Sequence, residues 1–335
     1  MPPTFDLLVI GDANPDVILG PLDAPLAFDQ REQLVGTGVL TLGGSGAIMA
    51  CGAARLGLRV AFAGLVGDDD AGRYVRDTLA ARGVDTAALR MDPGLPTPLT
   101  VVITREGDRA ILTAPGTLAA TTAEDVPERL LTGSRHVHAA SYFLMPELAG
   151  ALPGLFRTAR AHGATTSLDT NDDPTGRWDP AGLAAVLAET GILLPNAHEA
   201  RHLAAGAALS PRAGALSPRA GAEPAGSLET AAAALAARGP LVVVKNGADG
   251  ALCHDGRTLV TTAGIVVTPA DTVGAGDSFD AGFVAATLNG MPVEGALEFA
   301  AVCGALSTRA HGGTTAQPTW DEAAAHITRN GENRR

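Results

Sequence analysis

Short apolar runs separated by longer amphipathic stretches set the rhythm of this chain. Leu7-Leu-Val-Ile10 and Leu241-Val-Val-Val244 have no polar alternate, and Val60-Ala-Phe-Ala-Gly64 and Ile192-Leu-Leu194 are built the same way. Runs like these fit strands buried on both faces, as in a parallel sheet covered by helices. His136-Val-His138 and Thr165-Thr-Ser-Leu168 continue the series. Helical periodicity predicts helices from Gly46 to Leu56 and near 71–82, 146–162, 180–190, 228–238, 281–288 and 294–309, several of them closed by a glycine. Val17-Ile-Leu19, Gly36 to Leu42, and the pair Leu99 to Thr104 and Arg109 to Thr113 around Arg105-Glu-Gly-Asp108 interrupt the β–α alternation. They read as a separate small sheet with a hairpin. Ile265-Val-Val267 reads as one more short strand before Thr268-Pro269. The pattern predicts a doubly wound α/β fold with a small β-sheet beside it.

Composition narrows this picture. With 46% hydrophobic and 18% charged residues, the 335-residue chain can bury a large core as a single α/β domain. Only 4% of residues are aromatic and 41 are glycine, which favours close helix–sheet packing. A formal net charge of −12 argues against a nucleic-acid partner, which would need clustered Lys and Arg. Cys51, Cys253 and Cys303 are odd in number and far apart, so they read as reduced core thiols. No stretch approaches the length of a membrane span and the N-terminus lacks a signal pattern, so a cytoplasmic protein is expected. Ala208-Leu-Ser-Pro-Arg-Ala-Gly214 is repeated unchanged as Ala215 to Gly221. Such a Pro-, Gly- and Ala-rich tandem cannot bury a core, and a flexible loop over 206–227 without a catalytic role is expected.

The chemistry concentrates in Asp271-Thr-Val-Gly-Ala-Gly-Asp-Ser-Phe-Asp-Ala-Gly-Phe283. Gly274, Ala275 and Gly276 stand almost without side chains at the start of a helix, where free N–H groups attract anions. Asp277 follows, placed to take a proton from a hydroxyl; a tight turn with Asp277 as helix cap is the plainer alternative. No Walker-type P-loop occurs, and Gly43-Gly44-Ser-Gly46 fails as a dinucleotide fingerprint because the third glycine would fall at Met49. Polar groups follow other strands: Asp12-Ala-Asn14-Pro-Asp16, Asp169-Thr-Asn-Asp-Asp173, Asn196-Ala-His-Glu199 and Lys245-Asn-Gly247-Ala-Asp-Gly250. Each is also readable as a turn or a helix cap. His198 and His202 read as surface histidines because no third ligand is in register, and Trp178 and Trp320 as packing residues.

Taken whole, the 271–283 string resembles the C-terminal signature of the ribokinase-like (PfkB) carbohydrate kinases, D-T-x-G-A-G-D-x-F-x-x-G. The resemblance implies Asp277 as catalytic base and the backbone N–H groups of Gly274, Ala275 and Gly276 as an anion hole. Gly43-Gly44 with Ala53-Ala-Arg-Leu-Gly57 is similar to the family's first signature, and Gly64-Leu-Val-Gly-Asp-Asp69 to its next block. By the same likeness Asp12, Asn14, Asp16, Gly43 and Gly44 would hold the acceptor. Asn196 and Glu199 resemble the N-x-x-E motif that organises Mg²⁺ through water, which suits a hard cation that keeps its waters. Lys245, Gly247 and Gly250 match the loop beside ATP, with Gly276 also touching the nucleotide. Asp271 and the Val273 carbonyl match the monovalent-cation (K⁺) site of some members, although His311-Gly-Gly313 departs from the usual sequence there.

The implied activity is ATP-dependent phosphorylation of a hydroxyl, a primary one on a sugar or sugar-like molecule. The implied lid strands lie at 12–20, 33–42 and 97–114 and can pair two copies into a homodimer. Position 48 departs from the family: Ile48 stands where an Asn often contributes to the substrate site, which weakens any carry-over of ribose specificity and leaves room for an apolar substrate group. A nucleoside kinase is therefore the alternative on the same scaffold. A phosphosugar kinase ranks below it, since only Arg31, Arg105 and Arg109 lie near the lid, and a non-catalytic sugar sensor ranks last.

Overall fold

Leu7, Leu8, Val9 and Ile10 are fully buried, with Leu7 and Val9 in one apolar cluster and Leu8 and Ile10 in another. Alternation of side chains across a strand thus feeds two cores from one continuous apolar run. The computed structural model describes residues 3–105, 108–208 and 226–333. The first half runs β1 (Phe5–Ile10), β2 (Asn14–Gly20), β3 (Thr37–Gly43), α1 (Ser45–Arg55), β4 (Val60–Gly67), α2 (Asp70–Ala81), β5 (Val84–Asp92), β6 (Leu99–Arg105), β7 (Asp108–Ala114), α3 (Glu128–Thr132) and β8 (Ser134–Ala139). It continues with α4 (Pro146–Ala161), β9 (Thr165–Leu168), α5 (Pro180–Leu187), β10 (Ile192–Leu193), α6 (Ala197–Ala208), α7 (Leu228–Ala236) and β11 (Leu241–Lys245). The C-terminal part holds β12 (Ala251–His254), β13 (Leu259–Thr262), α8 (Ala275–Leu288), α9 (Val293–Ser307) and α10 (Trp320–Asn333).

The large sheet has the order β13-β12-β11-β10-β9-β8-β1-β4-β5. Neighbours from β11 to β5 pair parallel, and β12 and β13 add an antiparallel edge. Side chains of α1, α2, α8, α9 and α10 fill the core on one face, and those of α3 to α7 fill the other. β1 pairs with β4 on one side and β8 on the other, so the connections leaving their carboxyl ends diverge there. In doubly wound sheets that divergence opens the ligand crevice. The second sheet, ordered β3-β2-β6-β7, springs from it: β2 begins at Asn14, beside Gly43 of β3.

Small residues bring three helices together under the crevice. A Cβ on Gly52 of α1 would lie 3.0 Å from the Ala281 Cβ, and one on Gly282 of α8 would lie 2.9 Å from the Cys303 side chain of α9. All three cysteines are free and buried in the core. Among the described residues no helix is long and apolar enough to cross a membrane.

One expectation changes. Ile265-Val-Val267 forms no strand: the segment continues past the edge strand β13 with no ladder partner, and Val266 is 97% exposed. Helix α8 begins at Ala275, so Ala275 and Gly276 enter its first turn behind the cap residue Gly274. The strands β5, β12 and β13 and the helix α10 carry too little apolar contrast to stand out in the sequence. Most of the tandem repeat falls within 209–225, outside the described residues.

Candidate active site

The head of α8 is built around a glycine. Gly274 caps the helix at φ 72°, with no side-chain cap, and a Cβ there would lie 2.6 Å from the Gly313 Cα and 3.0 Å from Ile48 Cγ2. The helical ladder starts at Ser278 N–H, which donates to the Gly274 carbonyl at 2.9 Å, and Ala275 N–H donates to Thr272 at 3.3 Å. Among the described residues the N–H groups of Gly276 and Asp277 find no partner, which makes this helix end a place for an anion. Asp277 keeps part of its surface open to the cleft. Desolvation pushes its carboxyl up to about 7; the Ser45 hydroxyl, which donates a short hydrogen bond to Asp277 Oδ1, pulls it down, while the Asp169 charge raises it further.

Asp271 holds the loop in front of this turn. Its Oδ1 accepts from Val273 N–H at 3.0 Å and its Oδ2 from Gly312 N–H at 2.9 Å. From β7 of the small sheet, Arg109 Nη1 donates to Thr272 Oγ1 at 3.2 Å, so the small sheet reaches the loop that leads into α8.

Behind Asp277 lies a buried ionic cluster. Lys245, the only lysine in the chain, sits at the end of β11 and places its Nζ 2.6 Å from Asp169 Oδ2 and 3.0 Å from Asp280 Oδ2. Burial works against the ammonium, but Asp169, Asp280 and Glu199 outweigh it and hold Lys245 above its usual value. Burial likewise opposes ionisation of both carboxyls. Lys245 wins at Asp169, which is lowered, and burial wins at Asp280, which is raised. Carboxylate oxygens of Asp169, Asp277 and Asp280 approach within 4.8 Å of one another, and the lysine supplies the cation that two of them share.

Asn196 and Glu199 close a reciprocal cap at the start of α6. Glu199 Oε2 accepts from Asn196 N–H at 2.8 Å, Oε1 accepts from Asn196 Nδ2 at 2.6 Å, and Glu199 N–H donates back to Asn196 Oδ1 at 2.9 Å. Glu199 is nevertheless buried and is pushed up to about 8, first by desolvation, then by the Asp169 charge, with Asp172 adding to it and Lys245 offsetting part. Gly247 and Gly250 shape the turn after Lys245: a Cβ on Gly250 would lie 2.1 Å from the Thr262 carbonyl oxygen.

At the other wall, Asp12 Oδ1 and Oδ2 accept from Gly46 N–H at 2.9 Å and Ser45 N–H at 3.1 Å, capping α1. Asn14 Nδ2 donates to Asp16 Oδ1 at 2.7 Å and to Thr100 at 3.2 Å. The Asp16 carboxylate lies over Gly43, where a Cβ would sit 2.0 Å from its Oδ1. Desolvation pushes Asp16 up to about 7, with Asn14 opposing and Asp12 and Asp271 adding. Gly44, at φ 88°, lets the chain pass within a Cβ distance of 2.7 Å of the Asp12 carbonyl. Ile48 is buried, with its side chain against Gly274 and Gly313.

The sequence model described as "pfkB family carbohydrate kinase" matches residues 4–320. The chain belongs to that family. Among curated proteins of the family, the chain is 32% identical over 292 residues to an ATP-dependent ribose-1-phosphate kinase of Halopiger xanaduensis, covering 85% of this chain and 86% of the relative. It is 27% identical to a ribokinase of Bacillus subtilis, over 95% and 97% of the two chains. Among solved structures it superposes on an Arabidopsis thaliana ribokinase complexed with ribose and ATP at a TM-score of 0.78 (22% identity, 98% and 99% covered), a likeness of fold. The pfkB membership makes the chain a phosphotransferase acting on sugars or related molecules.

The pfkB signatures drew attention to Gly274 to Asp277, and the structure brings these together with Ser45, Asn171, Asp169 and Asp280. Ser45 was legible only as the spacer among three glycines, and Asn171 only as one polar residue among acids. Trp178 stacks on His202 at 5.1 Å and packs edge-on to Phe143, away from the cluster around Asp277.

Proposed function

We propose that the protein transfers the γ-phosphoryl group of ATP to a hydroxyl, a primary one, of a sugar or sugar-like acceptor. The observation that carries this reading is Asp277: a carboxyl close to 7, on the same helical turn as two unpartnered N–H groups, open to the crevice between the two sheets. Asp277 takes the acceptor's proton as its oxygen attacks phosphorus, and the N–H groups of Gly274 and Gly276 offset charge on the transferring group, that of Ala275 being engaged by Thr272. Asp16, Asn14, Gly43 and Gly44 form the acceptor wall, with Asp12 holding its backbone. Lys245 acts from below, fixing the head of α8 through Asp280, while Gly247 and Gly250 let the neighbouring loop turn beside the nucleotide.

Glu199 is raised first by burial and then by the charge of Asp169, with Asp172 adding, so carboxylate oxygens, the hard donors that Mg²⁺ takes, gather at this corner. Asn196 and Glu199 would hold the ion through water, and it would supply neutralising charge at the nucleotide phosphates. Asp271 and the Val273 carbonyl remain the place for K⁺ in this reading. The small sheet acts as a lid that excludes water when it closes. Its strands expose Leu40, Ile111 and Leu112, which suits pairing with a second copy in a cytoplasmic homodimer.

A nucleoside acceptor is the alternative on the same scaffold, although Ile48 is buried against Gly274 and Gly313 and offers a base little surface. A phosphosugar acceptor is the second reading, favoured by the name of the 32% identical relative and by Arg109, whose guanidinium stands at the crevice beside Thr272. ADP release with Mg-ATP across pentoses, hexoses, keto-acid sugars, phosphosugars and nucleosides tests both. A neutral sugar as the strong acceptor supports the first reading and a phosphosugar the second. Silence across the panel from protein that still binds ATP overturns both.

A further inference from the structure

Asp277 is held at the end of a hydrogen-bonded chain whose direction can be worked out atom by atom. Ser141 N–H, which can only donate, points at one amide atom of Asn171 at 2.7 Å, so that atom is Oδ1. The other amide atom, Nδ2, then donates to Ser45 Oγ at 3.1 Å. With one lone pair so occupied, the single Ser45 proton goes to Asp277 Oδ1. The anchors are unusual backbone positions: Ser141 at φ 57° and Asn171 at φ 54° both lie in the left-handed region, after β8 and β9 respectively. Non-glycine residues are uncommon there, and such geometry persists only where the surroundings enforce it. Two loops are thereby locked to each other and, through α1, to the head of α8.

We infer that Ser45 is a positioning residue for the reaction, fixed by Asn171, and that it caps Asp277 Oδ1 so that Oδ2 is the oxygen that receives the acceptor's proton. The inference rests on Asp277 being the base. The step balances simply: the acceptor O–H proton moves to Oδ2, the acceptor oxygen bonds the γ-phosphorus, and the bond from that phosphorus to the leaving ADP oxygen breaks. Without Ser45 the carboxylate can rotate about its side-chain bonds and presents either oxygen. The charged and titratable groups around Asp277 are Asp12 after β1, Asp169 after β9, Lys245 of β11 and Asp280 one turn along α8. None of them donates to Oδ1 in place of Ser45.

The test compares wild type, Ser45→Ala, Ser45→Thr, Asn171→Ala and Asp277→Asn with the best acceptor, reading kcat, both KM values and the pH–rate profile. Ser45→Ala is expected to lower kcat about tenfold and to move the acid limb up by about one pH unit, since a hydrogen bond to the charged form is lost. KM for ATP should stay within about twofold, because uniform binding of the nucleotide is untouched. Ser45→Thr, which keeps the hydroxyl, should recover most of the activity and the wild-type limb. Asn171→Ala should shift the limb in the same direction by less, and adding it to Ser45→Ala should change nothing more. An acid limb unmoved in both Ser45→Ala and Asn171→Ala, or equal losses in Ser45→Ala and Ser45→Thr, overturns the positioning role. Asp277→Asn reports separately: activity retained there removes the base itself, whatever the Ser45 variants do.

Discussion

Replacing Gly274 with Ala isolates what the turn before Asp277 contributes. The residue sits at φ 72°, where a side chain costs about 1–2 kcal/mol. The new Cβ would also lie 2.6 Å from the Gly313 Cα, 3.0 Å from Ile48 Cγ2 and 3.1 Å from the Gly313 carbonyl oxygen. Two of those three atoms are backbone, which cannot swing aside, so overpacking adds about 1–3 kcal/mol. Gly290 provides the reference: it has φ 79° at the far end of the same helix and nothing within 4 Å of its Cβ. Gly290→Ala should therefore lose about 1–2 kcal/mol with turnover unchanged, the backbone cost alone. Gly274→Ala should lose about 2–5 kcal/mol in urea unfolding, and kcat should fall about a hundredfold as the N–H groups leave their places. Equal stability losses in the two variants, or full turnover in Gly274→Ala, would refute the idea that this glycine shapes the anion site.

Lys245→Met leaves Asp169 and Asp280 buried without their cation and should cost about 3–5 kcal/mol in urea unfolding at pH 7. Asp169 is held below its usual value, so the stability it contributes is present at neutral pH and is lost as pH falls through that lowered value. The deficit of the variant should accordingly shrink as pH falls from 7, because burial without the lysine lets the stranded carboxyl take a proton more readily; a deficit constant from pH 7 to pH 3 would contradict this. Asp16→Asn should raise the acceptor KM about tenfold or more while leaving KM for ATP alone if Asp16, bonded to Asn14 and lying over Gly43, belongs to the proposed acceptor wall. An equal change in both constants would move Asp16 out of that wall.

The fold was readable because its two signals are local. Runs such as Leu7 to Ile10 must be buried on both faces, and the breaks at 17–19, 36–42 and 99–113 could not belong to the same β–α alternation. The glycines before Asp277 were readable for a similar reason: a turn that must admit another group to its backbone carries few side chains. What stayed hidden depends on distance in the chain. Ser45 meets Asp277 across 232 residues and Asn171 across 126, and no spacing rule links them. Lys245 could be read as the start of a Gly-rich loop, but that its side chain pairs with Asp169 and Asp280 was not readable, because partners 76 and 35 residues away are set by the fold. Ile48 was singled out by its place in a motif, and its burial against Gly274 and Gly313, far along the chain, was not readable from that place. The expected strand at 265–267 failed because β-branched residues make a strand only where a neighbour supplies hydrogen bonds.

The central claim is that a carboxyl at position 277, poised near neutrality, removes the acceptor's proton during phosphoryl transfer from ATP. Acceptor-dependent ADP release by wild type and Asp277→Asn, measured from pH 5 to pH 9, tests it most directly. The account predicts wild-type turnover that rises with a single ionisation centred near pH 7, as burial has raised the group and activity needs its charged form. It predicts loss of turnover in Asp277→Asn at every pH while ATP still binds. Turnover in the variant close to wild type, with the same pH profile, would contradict it.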